Sequence, residues 1–297
     1  KGRTVLLAMD GSPAAIAGAR LARALANAHG AVVRVLNVID ERAFPFPPAL
    51  SLALASEDSD SDVASHPKQA EEVRSWLSAA VGDTTSWPVR VVIGTPASSI
   101  VEEAQRTDSA LVIVGLRKHG RMDRTVGNET SLEVMRNASC PVLGVVQDAT
   151  RLPSRILTAT DFGATSLLAA RAAGAVAGAE AVVVMAYVTP LTALVGDEGE
   201  RVIHDLGVRE AFARSAQDLS DGGASFDHVV LQRSARQTTA ATLLQYATAM
   251  RIDLIAAGSA RAGRIERWMM GSVSTDLVRE GTHSVLIVPP VAPRQRD

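Results

Sequence analysis

Two stretches about half a chain apart read almost alike. Thr4-Val5-Leu6-Leu7-Ala8-Met9 is a short, continuous apolar run that ends at Asp10-Gly11-Ser12-Pro13 and leads into an alanine-rich helical pattern from Ala14 to His29. Arg155-Ile156-Leu157-Thr158-Ala159-Thr160 ends at Asp161 and leads into a second alanine-rich pattern from Ala164 to Gly178. Ala31 to Val38 is echoed by Ala181 to Val188, Ala110 to Val114 by Leu254 to Ala257, and Val142 to Val146 by Val285 to Val288. Matching positions keep a nearly constant offset: Asp10 with Asp161, Val38 with Val188, Gly115 with Gly258, and Gly127 with Gly271. Such an offset across several elements marks an internal duplication.

Each copy constrains its own fold. Apolar runs of this length without polar alternation suit strands buried on both faces of a parallel sheet. Their alternation with helical patterns, including one from about Pro67 to Val81, implies an α/β architecture with right-handed crossovers and helices on both faces. Ser12 is placed to cap the first helix, Pro13 suits its first position and Gly30 its end. A length of 297 residues fits two domains, expected at 1–148 and 153–291, with the boundary in the polar stretch Gln147 to Pro153. Aromatic residues are only 3% of the chain, so Ala, Val and Leu must fill the cores. Residues 40 to 66, with Pro45, Pro47 and Pro48 before an acidic serine-rich run, read as a long connection: a spacer, a lid or a partner-binding loop.

Several function classes are excluded or left without support. The formal net charge of −2, with no basic tract or stacking-aromatic motif, supports neither nucleic acid nor an anionic membrane surface as partner. No apolar run approaches the ~20 residues that span a bilayer, and Lys1-Gly2-Arg3 leads straight into a strand, so a cytoplasmic location is expected. The single cysteine, Cys140, precedes the apolar run Val142 to Val146 and is expected to be a buried, inert thiol. The six histidines are scattered, and no metal-ligand spacing or serine motif with a base and oxyanion partners occurs, so no dedicated catalysis is assigned.

The chemistry that remains is anion binding. In the second half the apolar run Leu254 to Ala257 enters Gly258-Ser259-Ala260-Arg261, and nine residues later Gly271-Ser272-Val273-Ser274 opens a helix. Unpaired N–H groups and the dipole at a helix start favour a phosphate chain. A glycine turn that merely joins strand to helix is the simpler alternative.

With the duplicated frame in place, the chain resembles the universal stress protein family in a tandem two-domain form. The resemblance rests on Leu7-Ala8-Met9-Asp10-Gly11-Ser12, Ile93-Gly94-Thr95-Pro96-Ala97, Ser139-Cys140-Pro141-Val142-Leu143, Gly271-Ser272-Val273-Ser274, and His283-Ser284-Val285-Leu286-Ile287-Val288. It implies two Rossmann-like domains, each a five-stranded parallel sheet in the order 3-2-1-4-5. It also implies a ligand at the carboxyl ends of the strands, where strand order reverses.

The resemblance further implies that an aspartate ending the first strand and a valine ending the second frame adenosine. Those are Asp10 and Val38 in the first half, and Asp161 and Val188 in the second. The family's phosphate pattern is Gly, two residues, Gly, nine residues, then Gly-Ser or Gly-Thr. The second half keeps Gly258, Gly271, Ser272, Val273 and Ser274 but has Arg261 at the second glycine, where a guanidinium is able to hold phosphate bidentately. The first half has Gly115, Lys118 and a segment one residue shorter, then Gly127-Asn128-Glu129, with Asn128 a candidate helix cap and Glu129 competing with phosphate. The third-strand loop is reversed: Gly94, Pro96 and Ala97 are intact in the first half, whereas Gln232 to Thr239 replaces them in the second.

The function expected from the resemblance is a stress-response regulator that binds ATP or another adenine nucleotide, with or without Mg2+, in at least one half and preferentially the second. The alternative is a nucleotide-free partner-binding module regulating a transporter or other cytoplasmic protein. Slow ATP hydrolysis is the most catalysis expected. The fifth strands, Val142 to Val146 and Val285 to Val288, are expected to pair as an intrachain pseudo-dimer and so protect two sheet edges, with a homodimer of whole chains left open.

Overall fold

In the computed structural model the described residues are 3–43, 66–84, 86–117, 128–191, 193, 197–219, 225–259 and 270–290. Gly127, Lys118, Arg261 and most of the 40–66 connection lie outside them. The chain divides into two compact units, Lys1–Arg151 and Leu152–Asp297.

The first unit contains β1 (Thr4–Ala8), α1 (Pro13–His29), β2 (Val32–Asp40), α2 (Pro67–Val81), β3 (Val89–Gly94), α3 (Pro96–Arg106), β4 (Leu111–Leu116), α4 (Glu129–Asn137) and β5 (Val142–Val146). The second contains β6 (Arg155–Ala159), α5 (Ala164–Ala175), β7 (Val182–Thr189), α6 (Glu198–Leu219), β8 (Ser225–Gln232), α7 (Thr239–Ala249), β9 (Leu254–Gly258), α8 (Ser272–Glu280) and β10 (Ser284–Val288). Strand order is β3-β2-β1-β4-β5 in the first unit and β8-β7-β6-β9-β10 in the second, the expected 3-2-1-4-5 in both. The neighbours are parallel and the register repeats: Thr4 lies opposite Val32 and Val5 opposite Leu111, as Arg155 lies opposite Val182 and Ile156 opposite Leu254.

Helices cover both faces, α1 with α2 and α3 with α4 in the first unit, α5 with α6 and α7 with α8 in the second. Leu6, Leu7, Leu36 and Ile113 have no more than 1% exposure in one core, and Ile156, Leu157, Ile255 and Leu286 none in the other. Each such side chain contributes about 1.5–3 kcal/mol through burial. The α1 ends follow the sequence signals: the Ala15 N–H donates to Ser12 Oγ at 3.2 Å, Pro13 takes the first position, and Gly30 stops the helix at a φ of 64°.

Glycines set how closely the first helix of each unit approaches the fourth strand. A Cβ on Gly115 would lie 3.0 Å from Ala14 Cβ and 3.1 Å from the Ala15 nitrogen, and one on Gly258 would lie 2.8 Å from the Thr165 carbonyl oxygen. The turn after the first strand differs between units. Gly11 holds a φ of 76° beneath the Trp76 indole, whereas Phe162 takes the same left-handed conformation at 62°. A phenylalanine is uncommon there. Its ring is held by Tyr187, with centroids 5.1 Å apart, and edge-on by Phe212 at 4.8 Å.

One buried charge lies away from either cleft. Glu103 on α3, 4% exposed, accepts from Arg90 at 2.6 Å and from Arg106 at 2.8 and 2.9 Å. Burial alone would raise this carboxyl, but the hydrogen bonds from Arg106 and Arg90 outweigh it and hold its pKa below the ordinary 4.5. A carboxylate depressed on folding adds stability above its unfolded pKa and loses it as pH falls through the lowered one. Glu103→Gln is therefore expected to destabilise the chain by about 1–3 kcal/mol at neutral pH. The gap from wild type should narrow on acidification below about 4.5, as measured by urea melts at several pH values.

Cys140 is half-buried and unpaired, and burial pushes its thiol up to about 11. Alkylation of the folded chain at pH 8 is expected to run on the order of 100-fold slower than for a free thiol near pKa 8.5. Stopped alkylation followed by intact-mass measurement reads this directly.

Candidate functional site

Each unit has a cleft at the carboxyl ends of its strands, opening where chain order turns from the first strand to the fourth. In an open parallel sheet this crevice is where ligands sit. The first cleft has a volume of about 660 Å³ and the second about 500 Å³. Of the residues singled out by sequence, Asp10, Val38, Pro96 and Gly115 line the first, and Asp161, Val188, Gly258, Gly271, Ser272, Val273 and Ser274 line the second. Gly94 ends β3 and Ala97 is buried in α3 at 3% exposure, so both support the first cleft without lining it.

The frame at the ends of the first and second strands is the same in both units. The Ser12 N–H donates to Asp10 Oδ1 at 3.0 Å and the Gly163 N–H to Asp161 Oδ1 at 2.9 Å. These bonds fix each carboxylate at the cleft and leave its second oxygen without a partner among the described residues. Facing them are Val38, Pro96 and Ile100 in one cleft and Val188, Thr239 and Leu243 in the other. Although Gln232 to Thr239 lacks the Gly-Thr-Pro-Ala sequence, Thr238 accepts from the Ala241 N–H at 3.1 Å and starts α7, with Thr239 where α3 has Pro96.

The ends at the starts of α4 and α8 differ, and the geometry changes the expected equivalence. Ser131 Oγ donates to the Gly115 carbonyl at 2.9 Å, and Ser274 Oγ to the Gly258 carbonyl at 3.2 Å, over the same chain separation. Asn128, rather than Gly127, therefore stands where the second unit has Gly271, and both are the residue before their helix. The first segment is not shorter by one residue; it carries an asparagine in place of a glycine. Nor does that side chain cap α4. Asn128, 3% exposed, accepts from the Arg117 N–H through Oδ1 at 2.9 Å and donates through Nδ2 to the Arg117 carbonyl at 3.3 Å. The asparagine amide thus fills the turn with its own hydrogen bonds. Glu129 follows it in the cleft wall, where Ser272 stands in the second unit.

At Gly271 a Cβ would meet nothing within 4 Å among the described residues. Gly271 has no side chain to cap α8, so among the described residues its first N–H groups open onto the cleft. This end carries the positive pole of the helix, where negative charge is favoured.

Sequence reasoning missed the cleft mouths. In the first unit Arg42 grips Asp40 bidentately, Nε to Oδ1 at 2.9 Å and Nη2 to Oδ2 at 2.7 Å, and its hydrogen bonds lower the Asp40 pKa. Thr95 Oγ1 donates to Glu41 at 2.8 Å and ties that turn to the start of α3. In the second unit Tyr187 forms part of the wall, its hydroxyl 3.2 Å from His204 Nε2, and burial raises its pKa. Asn37 stands in the place of Tyr187 in the first unit, donating to the Met9 carbonyl at 2.7 Å. The signal available was the residue before the framing valine, Asn37 against Tyr187, which decides whether an aromatic wall is present.

Among the described residues no group of three His, Cys, Asp or Glu is placed to hold a metal, and no helix is long and apolar enough to cross a membrane.

A model of the universal stress protein family matches the chain twice, over residues 2–145 and 153–289. A Thermus aquaticus protein, the universal stress protein in the QAH/OAS sulfhydrylase 3' region, is 30% identical over 141 residues, which are 48% of this chain and 96% of that protein. Among solved structures, a universal stress protein from Archaeoglobus fulgidus is similar with a TM-score of 0.65 at 18% identity, covering 96% of this chain and 98% of its own. A functionally unknown protein from Pseudomonas aeruginosa gives a TM-score of 0.59 at 14% identity, covering 97% and 93%. At these identities the two structures speak for the fold, while the twofold family match covers nearly the whole chain. The chain belongs to the universal stress protein family and carries two of its domains in tandem.

Proposed function

We propose that this protein is a stress-response regulator that binds ATP or another adenine nucleotide, with the second unit as the stronger site. The observation that carries the proposal is the open start of α8 at Gly271, beside a cleft that retains Asp161 and Val188. In this arrangement the base lies against Val188 and Leu243, the ribose hydroxyls donate to the free oxygen of Asp161, and the phosphates take the N–H groups from Ser272 onward. A carboxylate accepting from a hydroxyl and amide groups donating to an anion are both charge-assisted, the strong class of hydrogen bond. When bound with Mg2+, the nucleotide brings the metal on its phosphate chain, which suits a protein with no metal cluster of its own among the described residues. The first unit binds more weakly because Glu129 stands in its cleft wall at the start of α4 and opposes a phosphate there.

Calorimetric titration of the full chain with ATP tests this. Asp161→Ala is expected to weaken the stronger isotherm by about tenfold, the value of one hydrogen bond to a charged group. Asp10→Ala should leave that isotherm unchanged. Equal affinity in wild type and Asp161→Ala would count against the second cleft as the site.

A further inference from the structure

The second unit has another cavity, about 360 Å³, under α6 and beside the ends of β7 and β8; it shares no lining residue with the nucleotide cleft. Its α6 wall is Arg201, His204, Asp205, Val208, Arg209 and Phe212, a spacing of threes and fours that puts all six on one helix face. A surface helix ordinarily turns its apolar stripe inward. The first half of α6 departs from this: Val202, Ile203 and Leu206 are 54%, 71% and 55% exposed, while the cavity is lined by two arginines, a histidine and an aspartate, with Arg201, Asp205 and Arg209 at its exposed rim.

The charges that line the cavity are not used up within the fold. Among the described residues, neither Arg201 nor Arg209 makes a side-chain hydrogen bond or ion pair. Asp205 instead meets His204 Nδ1 at 3.4 Å, and His204 Nε2 meets the Tyr187 hydroxyl at 3.2 Å. Thr189, 5% exposed, lines the cavity with a hydroxyl that bonds to no other described residue. The apolar walls are Val208, Val230 and Phe212, with the Phe212 ring 4.5 Å from that of His228.

We propose that this cavity binds a small organic monoanion, a carboxylate on an aryl or short alkyl body. Two fixed cations against one carboxylate leave an excess of one positive charge, which matches a monoanion and repels the second charge of a phosphate through Asp205. Guanidinium groups receive a carboxylate through paired N–H donors, and the valines and Phe212 receive the body. The volume lies within the range of small-molecule sites.

Benzoate is the probe, titrated into the full chain and followed by ligand-observed saturation-transfer NMR. It is expected to bind saturably in the millimolar range, and about fivefold or more weakly in Arg209→Gln or Arg201→Gln. Both positions are exposed, so fold is retained, as circular dichroism checks. Benzyl alcohol, which lacks the charge, and inorganic phosphate, which lacks the body, should each bind about fivefold or more weakly than benzoate. Saturating ATP should not displace benzoate. The proposal is overturned by absence of saturable benzoate binding, by unchanged affinity in both arginine variants, by displacement with ATP, or by benzyl alcohol or phosphate binding as tightly as benzoate.

Discussion

Replacing Gly271 by asparagine is expected to weaken ATP binding at least about tenfold, ~1.4 kcal/mol, without loss of stability. The substitution installs in the second unit the residue that the first carries at Asn128. Gly271 has a φ of −63° and ψ of 162°, an extended conformation open to any side chain, and among the described residues nothing stands within 4 Å of its Cβ position. The position has room for the side chain, so the melting temperature should hold. The amide would turn onto the strand-end backbone as Asn128 does on Arg117, and its bulk at the start of α8 would narrow the approach of a phosphate to the helix N–H groups. Calorimetry and a thermal melt on the same sample separate the two effects. The reciprocal change, Asn128→Gly with Glu129→Ser, should strengthen ATP binding in the first unit. Affinity unchanged in Gly271→Asn would place the phosphates elsewhere.

Gly258→Ala is expected to behave in the opposite way, costing about 1–3 kcal/mol of stability in the second unit and lowering its melting temperature by roughly 3–10 °C. The new methyl would lie 2.7 Å from Thr165 Cγ2, 2.8 Å from the Thr165 carbonyl oxygen and 2.9 Å from its carbon. Two of those three atoms are backbone, so α5 must move off β9 to make room. Gly271→Ala, by contrast, should change stability by no more than about 0.5 kcal/mol. Differential scanning calorimetry of the pair checks both. A stable Gly258→Ala chain would mean that the contact of α5 with β9 is looser than these distances say. Because Gly258 supports the packing, loss of nucleotide in its variant does not by itself argue direct contact, which is why Gly271 is the sharper probe.

The repeated frame was legible because its signals are local and redundant. Strands buried on both faces are unbroken apolar runs, and α1 announces itself with Ser12, Pro13 and Gly30 at its ends. The third strand of the second unit and the long α6 left weaker signals. β8 is an edge strand whose exposed Asp227 and His228 interrupt its apolar pattern, and α6 carries aliphatic residues on its outer side as well as its inner one. The match of Gly127 with Gly271 failed for a different reason. Glycines are easily paired by eye, whereas the geometric marker was the serine that bonds back to the strand-end carbonyl, Ser131 to Gly115 and Ser274 to Gly258. Counting back from those serines pairs Asn128 with Gly271. Likewise, Thr239 takes the place of Pro96 because a threonine cap on Thr238 starts a helix as well as a proline does.

The central claim is that an adenine nucleotide occupies the second cleft, and native mass spectrometry of the full chain tests it most directly. After incubation with ATP and removal of excess, wild-type protein should retain one nucleotide per chain at low occupancy of the first unit, and Gly271→Asn protein should retain little. A wild-type chain that keeps no adenine nucleotide, or a Gly271→Asn chain that keeps as much as wild type, would contradict the account.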